Sequence, residues 1–319
     1  MKRFTLLGIV LVAACLFSSC TMEKSYSDSF SIPIESDSPH TVSMYGSDVS
    51  VCSLTLENPR ITFFHITDNT ERSVQLEHAV QWGSFLHDGT WLGVDYSGIM
   101  IPNTSKPENQ IDQSPQYQEY VDEFYVVVYQ DGISNVSSSS ISLAKSGILL
   151  PSTEPYSITH VEKMNQDSYL LLLQAKDDSV LLYVTADDVR QIQTPQRLVG
   201  FCYVESVLTT IDEQALVQYS IPPLFQYKND LSEYLVQGCF TLPYVTKDID
   251  TIDNQHYYAI SNQIQEVEDS IELHQEDTKK SLRLTTFPSY LNSTLFRNNE
   301  HIYRSQIEDK TLTVSKLNP

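Results

Sequence analysis

The chain has 319 residues, of which 41 are acidic and 20 are basic, giving a formal net charge of −21 at pH 7. This charge repels the phosphates of DNA, RNA and anionic lipids, so nucleic-acid binding is excluded as a function. The length suffices for one large β architecture or for two ordinary domains.

The first twenty residues predict export. Lys2 and Arg3 precede an apolar run over residues 4–17, and Ser18-Ser19-Cys20 follows it. The run is shorter than the roughly 20 residues that a transmembrane helix needs. A short basic start and an apolar stretch are typical of a cleaved secretory signal. We therefore predict a signal peptide over residues 1–19.

This opening resembles the signal peptides of bacterial lipoproteins, in which small or apolar residues precede a cysteine that receives a lipid. Cys15, after Val12-Ala13-Ala14, fits the usual box more closely letter by letter. Cleavage before Cys20 instead leaves a full-length apolar region and a polar mature start. We predict that Cys20 carries the lipid, with Cys15 as the alternative.

The resemblance implies a lipid-anchored protein of the bacterial cell envelope whose partner is the membrane itself. Thr21, rather than Asp, follows the lipidated cysteine, which by the same resemblance favours the outer membrane. Residues 20–40 are predicted to form the lipidated N-terminus and a polar tether. Residues 41–319 are predicted to form the globular domain.

The globular part reads as a series of strands. Short apolar or alternating runs are bounded by polar turn residues, and helical periodicity is scarce. The clearest hairpin is predicted over residues 169–185, with its turn at Lys176-Asp177-Asp178. Both of its strands are almost continuously apolar, which predicts burial on two faces. Residues 263–285 indicate either a long hairpin or a short helix.

A weak internal repeat suggests the architecture. A polar pair precedes a strand at residues 122, 167, 213, 254 and 299, and less evenly at 47 and 88. Units of about 40–45 residues with several strands each are typical of β-propeller blades. We predict an all-β fold, a β-propeller of seven blades, with two β-sandwich domains as the alternative.

Three cysteines, Cys52, Cys202 and Cys239, remain in the globular part. An exported protein meets oxidising conditions, in which a disulfide can form. Cys202 and Cys239 are the favoured pair, and buried free thiols are the competing interpretation. There is no Cys-x-x-Cys spacing that would indicate a metal or redox site.

The candidate metal motifs are incomplete. His65, His78 and His87 lie close together in the sequence but lack the spacing of a zinc site. The acidic segment 248–254 lacks the turn glycine and distal glutamate of a calcium loop. We expect strand-edge histidines and a solvated acidic turn, and we predict neither metal nor cofactor.

The candidate catalytic motifs are equally weak. Residues 142–145 have the Ser-x-x-Lys spacing of penicillin-binding enzymes, but their surroundings favour a loop and strand over the required helix. Asp88-Gly89-Thr90-Trp91 resembles the aspartate box of sialidase-type propellers, which braces a hairpin and is not catalytic. We predict no catalytic residue.

These observations favour a binding or scaffold module for protein or glycan partners. An envelope hydrolase or carbohydrate-active enzyme on the same fold is the alternative. An enzyme would require several ionisable side chains with shifted pKa values in one pocket. A binding module would instead present an exposed apolar or aromatic patch.

Overall fold

The computed structural model describes residues 29–34, 40–53, 60–76, 80, 82–86, 89–102, 117–130, 135–142, 148, 156–165, 168–185, 189–222, 228–264, 268–275, 278–289 and 293–317. Within these ranges 24 strands form six four-stranded sheets, and a 3-10 turn lies at Leu231–Glu233. None of the described helices is long and apolar enough to traverse a membrane.

The first four sheets, blades I to IV, are antiparallel meanders whose strands follow one another in chain order. Blade I contains β2 (His40–Tyr45), β3 (Asp48–Ser53), β4 (Arg60–His65) and β5 (Thr70–Gln75). Blade II contains β6 (Trp82–Phe85), β7 (Trp91–Pro102), β8 (Tyr117–Gln130) and β9 (Asn135–Ser142). Blade III contains β10 (Ser157–Asn165), β11 (Ser168–Gln174), β12 (Ser179–Thr185) and β13 (Val189–Ile192). Blade IV contains β14 (Gly200–Val204), β15 (Val207–Ile211), β16 (Ala215–Ser220) and β17 (Leu235–Thr241).

Blade V has an unusual strand order. It contains β18 (Thr246–Thr251), β19 (His256–Ser261), β20 (Asp269–His274) and β21 (Ser281–Pro288). β21 pairs in parallel with β19, and β20 occupies the outer edge. The ambiguous segment 263–285 thus contributes to a long hairpin, in which β20 and β21 pair from Asp269 opposite Thr286 to His274 opposite Ser281.

Blade VI joins the two ends of the chain. It contains β22 (Thr294–Asn298), β23 (His301–Glu308), β24 (Thr311–Leu317) and, at its outer edge, β1 (Ser29–Pro33). β1 runs antiparallel to β24, from Ser29 opposite Ser315 to Pro33 opposite Thr311. The predicted tether over 20–40 therefore contains a strand. Phe30 and Ile32 alternate with polar residues there, and Ile32 is buried.

The first strand of each blade lines a central channel, and these inner strands run in the same direction. In blades I and II, Thr41 Oγ1 bonds Gly83 O at 2.6 Å, and Phe85 N donates to Ser43 Oγ at 2.7 Å. Residue numbers increase in the same direction along both strands, from Thr41 and Gly83 to Ser43 and Phe85, so the two strands are parallel. We call the end of the channel where the inner strands finish the upper face, and the opposite end the lower face.

The apolar core fills the spaces between neighbouring blades. Its largest fully buried side chains include Trp91, Tyr257 and Phe240. The hairpin predicted over 169–185 is confirmed as β11 and β12, with Tyr169 opposite Val184. Leu170 and Leu172 of this hairpin are fully buried, as expected for a strand covered on two faces.

The predicted propeller is confirmed, but its seven blades are not supported, because the described residues form six four-stranded sheets. The two repeat units that start at 88 and 122 correspond to the strands β7 and β8, which both belong to blade II. Its strands β7 and β8 have 12 and 14 residues, long enough to resemble two separate units. The alternative of two β-sandwich domains is not observed in the described ranges.

The predicted Cys202–Cys239 bridge is not formed, and both residues are free thiols, as is Cys52. Cys202 and Cys239 lie on the first and fourth strands of blade IV. At about 4.8 Å per strand their Cα atoms are roughly 14 Å apart, too far for a disulfide. Burial raises the pKa of Cys52 to about 12 and raises that of Cys202 well above its ordinary value. Cys15 and Cys20 lie outside the described residues.

Candidate functional site

Two tiers of side chains face the channel from the inner strands of blades III to VI. Side chains alternate along a strand, so residues two apart face the same side, about 6.8 Å from one another. The first tier consists of His160, Phe201, Asp248 and Leu295, and the second of Glu162, Tyr203, Asp250 and Arg297. All eight line one cavity of about 760 Å³.

Arg297 contacts the three other residues of the second tier across the channel. Its Nη2 donates to Glu162 Oε1 at 2.7 Å, its Nε lies 3.2 Å from Asp250 Oδ1, and its Nη1 donates to Tyr203 O at 3.3 Å. Arg297 belongs to blade VI and Glu162 to blade III, which is opposite in a ring of six. The planar guanidinium suits this role because it offers several fixed donors at once.

Burial dominates the electrostatics of Asp250. It raises the pKa of the Asp250 carboxyl to about 7, although the Arg297 charge and a hydrogen bond from Thr251 N oppose the rise. Burial also disfavours the charge of Arg297, but the carboxylates of Asp250 and Glu162 outweigh it, so the pKa of Arg297 is raised. The second tier therefore holds a guanidinium cation beside an Asp250 carboxyl whose pKa is raised by burial.

The first tier contains a His–Asp pair. His160 Nε2 lies 3.2 Å from Asp248 Oδ1, and Leu295 N donates to Asp248 Oδ2 at 2.9 Å. The imidazole packs beside the Phe201 ring, with centroids 6.0 Å apart. His160 Nδ1 is buried and has no hydrogen-bond partner among the described residues. Gly200 leaves room for this ring, since a Cβ there would lie 3.1 Å from Nε2.

Aromatic rings line the cavity on the side of blades I and II. Trp82, Phe85 and Tyr45 all contribute to its wall. The Phe85 ring lies between those of Phe63 and Tyr45, at centroid distances of 5.6 and 6.3 Å. The cavity thus combines apolar surface with a few ionisable groups, as small-molecule sites do.

The chemistry of the cavity is that of hydrogen bonding and proton exchange. Within the described ranges no three His, Cys, Asp or Glu side chains are placed to hold a metal ion. Cys202 packs among apolar residues between blades IV and V, including Ile211 and Phe240. The two tiers offer carboxylate acceptors, guanidinium donors and one carboxyl that titrates near neutrality.

Comparisons with known proteins inform the fold. No protein-family model matches the sequence, and no curated protein matches it. Among solved structures, the major Malassezia sympodialis allergen Mala s 1 superposes with a TM-score of 0.53 at 10% identity, over 92% of this chain and 97% of its own. This likeness supports the propeller fold alone.

Two further solved structures resemble the chain more distantly. A luciferin-regenerating enzyme gives a TM-score of 0.49 at 9% identity, over 91% of this chain and 96% of its own. A Trypanosoma rangeli sialidase bound to 2,3-difluorosialic acid gives 0.39 at 8% identity, over 88% and 53%.

The acidic segment 248–254 is the one sequence candidate that reaches the channel. We expected a solvated turn, but Asp248 and Asp250 lie in β18 and face inward. Asp253 does lie in the following turn, where its Oδ1 accepts from Gln255 N and His256 N at 2.9 Å. The expectation of a solvated turn was wrong for Asp248 and Asp250, because these carboxylates lie on an inner strand and face the channel.

The other sequence candidates lie elsewhere. His65 is on blade I, where its Nδ1 lies 2.7 Å from Asp48 Oδ1 in an exposed pair. His78 and His87 lie outside the described residues. Ser142 ends β9, and Lys145 is not described. In the segment 88–91, Asp88 lies outside the described residues, and Leu86 N donates to Thr90 O at 2.8 Å between β6 and β7.

The sequence interpretation missed His160, Glu162 and Arg297. His160 and Glu162 alternate with Val161 in a short strand, as Asp248 and Asp250 do with Ile249, whereas Arg297 follows the apolar pair Leu295-Phe296. Polar alternation normally indicates a solvent-facing strand. The position of each strand within its blade is needed to recognise that these segments are inner strands, whose alternate side chains face the channel.

The shifted carboxyl predicts a pH dependence of stability. The pKa of Asp250 is about 7 in the folded state and about 3.9 in an unfolded chain, so the folded state binds the extra proton between these values. Its contribution is therefore present at acid pH and is lost as the pH rises through about 7. We expect Asp250→Asn to flatten the fall in unfolding free energy from about pH 4 to about pH 7, measured by urea denaturation. Glu213→Gln, at an exposed carboxylate, should leave the wild-type slope unchanged.

Proposed function

We propose that the protein is lipid-anchored in the bacterial envelope through Cys20, with Cys15 as the alternative, and binds a neutral glycan in its central channel. The observation that carries the binding proposal is the central cavity, which aromatic rings line together with two tiers of hydrogen-bonding side chains. The anchor is supported by the lipoprotein-like signal sequence, which also favours the outer membrane. The other partner class compatible with the fold is a protein loop.

The balance of charges in the cavity favours a neutral, hydroxyl-rich ligand. Arg297 is paired with two carboxyl groups, and His160 is paired with Asp248, so neither tier carries a large unpaired charge. Carboxylates and guanidinium groups bond hydroxyls strongly. The Trp82 ring, which lines the cavity, can cover the apolar face of a sugar ring. The net charge of −21 disfavours acidic glycans.

Binding can be tested with an array of neutral and acidic oligosaccharides, followed by calorimetry. We expect neutral oligosaccharides to bind and to change the emission of Trp82, whereas Trp91 is buried away from solvent. Asp248→Asn should weaken binding about tenfold, equivalent to roughly 1.4 kcal/mol. The matched control is Asp48→Asn, which alters the exposed His–Asp pair of blade I. Equal losses from both variants would refute a channel site.

The anchor has its own test. Mass spectrometry of the mature N-terminus should find an acylated Cys20 as the first residue. An unmodified cysteine at that position, or a chain that begins elsewhere with no lipid, would contradict the lipoprotein proposal.

A hydrolase acting on the bound glycan is the second candidate. Asp250, whose carboxyl pKa is raised by burial, and Glu162 lie on two sides of one guanidinium, and pairs of carboxyl groups serve as acid and base in such enzymes. Incubation of the bound oligosaccharide with wild-type protein and with Asp250→Asn distinguishes the two functions. Cleavage by the wild type alone, with binding retained in the variant, would favour the enzyme.

A further inference from the structure

An exposed aliphatic pair lies on the rim of blade IV. Leu235 and Val236 begin β17, the outermost strand of that blade, and are 71% and 49% exposed. Most large apolar side chains in the described ranges are at least partly buried. The two residues are consecutive in a strand, so their side chains project toward opposite faces of blade IV, and both remain exposed to solvent at its rim.

The topology places this pair at the upper face. β14 ends there, and each later strand of blade IV reverses direction, so β17 begins there with Leu235 opposite Ser220. By the same reasoning β1 of blade VI also begins at the upper face, where Ser29 pairs with Ser315 near the end of β24. The start of the globular domain and the aliphatic pair therefore share one face.

The lipid tether is short. Eight residues, 21–28, separate Cys20 from Ser29, and a fully extended chain of that length spans at most about 29 Å. A lipid on Cys20 therefore holds the edge of the upper face within roughly that distance of the bilayer.

The residues beside the pair have the chemistry of a membrane interface. The Tyr234 ring lies 5.4 Å from Lys228 Nζ, and the Tyr234 hydroxyl donates to Lys228 O at 3.1 Å. Tyrosine and lysine concentrate where an apolar phase meets water, because each combines an apolar body with a polar tip.

We propose that Leu235 and Val236 insert at the headgroup boundary of the bilayer that holds the Cys20 lipid, so that the upper face rests on the membrane. This inference depends on the lipid anchor proposed above. The partner is an uncharged or zwitterionic lipid surface, because the acidic protein is repelled by anionic lipid. The lower end of the channel then faces away from the membrane.

Spin-label accessibility in vesicles tests this arrangement. The mature lipidated chain carries Cys239→Ser, which removes the exposed thiol, while Cys52 and Cys202 are buried and have raised pKa values. One label is attached at Val236→Cys and a control label at Gln75→Cys, an exposed residue at the lower-face end of β5. Phosphatidylcholine vesicles are used as the probe membrane.

The measured quantity is the ratio of the label's accessibility to oxygen to its accessibility to a water-soluble nickel chelate. On vesicle binding, this ratio should rise about threefold or more for the label at position 236 and should not rise for the label at position 75. Adding Leu235→Asp should remove the gain. If both labels remain in water on a protein shown by mass spectrometry to be lipidated, the lipid-anchor proposal holds and the proposed insertion of Leu235 and Val236 is wrong. If no lipid is present, both proposals fail. A concentration-dependent gain without vesicles would indicate a second copy on the rim and would also overturn the inference.

Discussion

Replacing Arg297 with methionine is expected to lower the free energy of unfolding by about 3 to 5 kcal/mol. The change leaves Glu162 without its 2.7 Å partner and Asp250 without its 3.2 Å partner in the buried channel. Breaking one member of a buried ion cluster is costly because the remaining charges are neither hydrated nor paired. Urea denaturation at neutral pH measures the loss.

Two further variants separate this effect from general damage. Arg197→Met removes a partly exposed ion pair, in which Arg197 Nη1 lies 3.5 Å from Glu213 Oε1, and should cost less than about 1 kcal/mol. Combining Arg297→Met with Glu162→Gln and Asp250→Asn should recover much of the lost stability, because the second tier then holds no charged side chain. Equal losses from Arg297→Met and Arg197→Met would contradict a buried cluster that spans the channel.

Replacing Ile32 with alanine is expected to lower the free energy of unfolding by about 2 to 3 kcal/mol. Ile32 is the buried residue of β1 and packs between blades VI and I with Met44, Val49 and Leu312. The truncation leaves a cavity at the point where the N-terminal strand closes the ring. An outer strand can relax partly, which places the effect toward the lower end of the range for such substitutions.

The neighbouring residue supplies the control. Ser31 is exposed on the other face of β1, where its hydroxyl lies 3.2 Å from Thr313 Oγ1, so Ser31→Ala should change stability by about 0.5 kcal/mol or less. Hydrogen exchange should show that Ile32→Ala, but not Ser31→Ala, speeds exchange of the β24 amides that pair with β1. Unchanged β24 protection in Ile32→Ala would mean that β1 does not close the ring.

The local patterns in the sequence predicted the strands better than they predicted the number of blades. Apolar runs such as 169–174 are sufficient to identify a buried strand, because burial on two faces requires continuous apolarity. The blade count depends on pairing between distant strands, which periodicity does not reveal. The long β7 and β8 were therefore interpreted as two repeats, and β1 was assigned to a tether although it pairs with β24.

The channel site depends on the same long-range information. Glu162 and Arg297 are 135 positions apart, and each is unremarkable in its own segment. Their meeting follows only from the closure of six blades into a ring. The prediction of a Cys202–Cys239 bridge was wrong for a related reason. The sequence separation of the two cysteines permits a disulfide, but in the fold the strands β15 and β16 lie between them.

A crystal structure of the mature protein with an oligosaccharide that it binds tests most directly whether the central channel is the functional site. We expect density for the sugar inside the channel, in hydrogen-bond contact with the His160–Asp248 pair or the Glu162–Arg297 pair and against Trp82. An ordered sugar on the outer strands of a blade, with the channel side chains unchanged, would contradict this assignment.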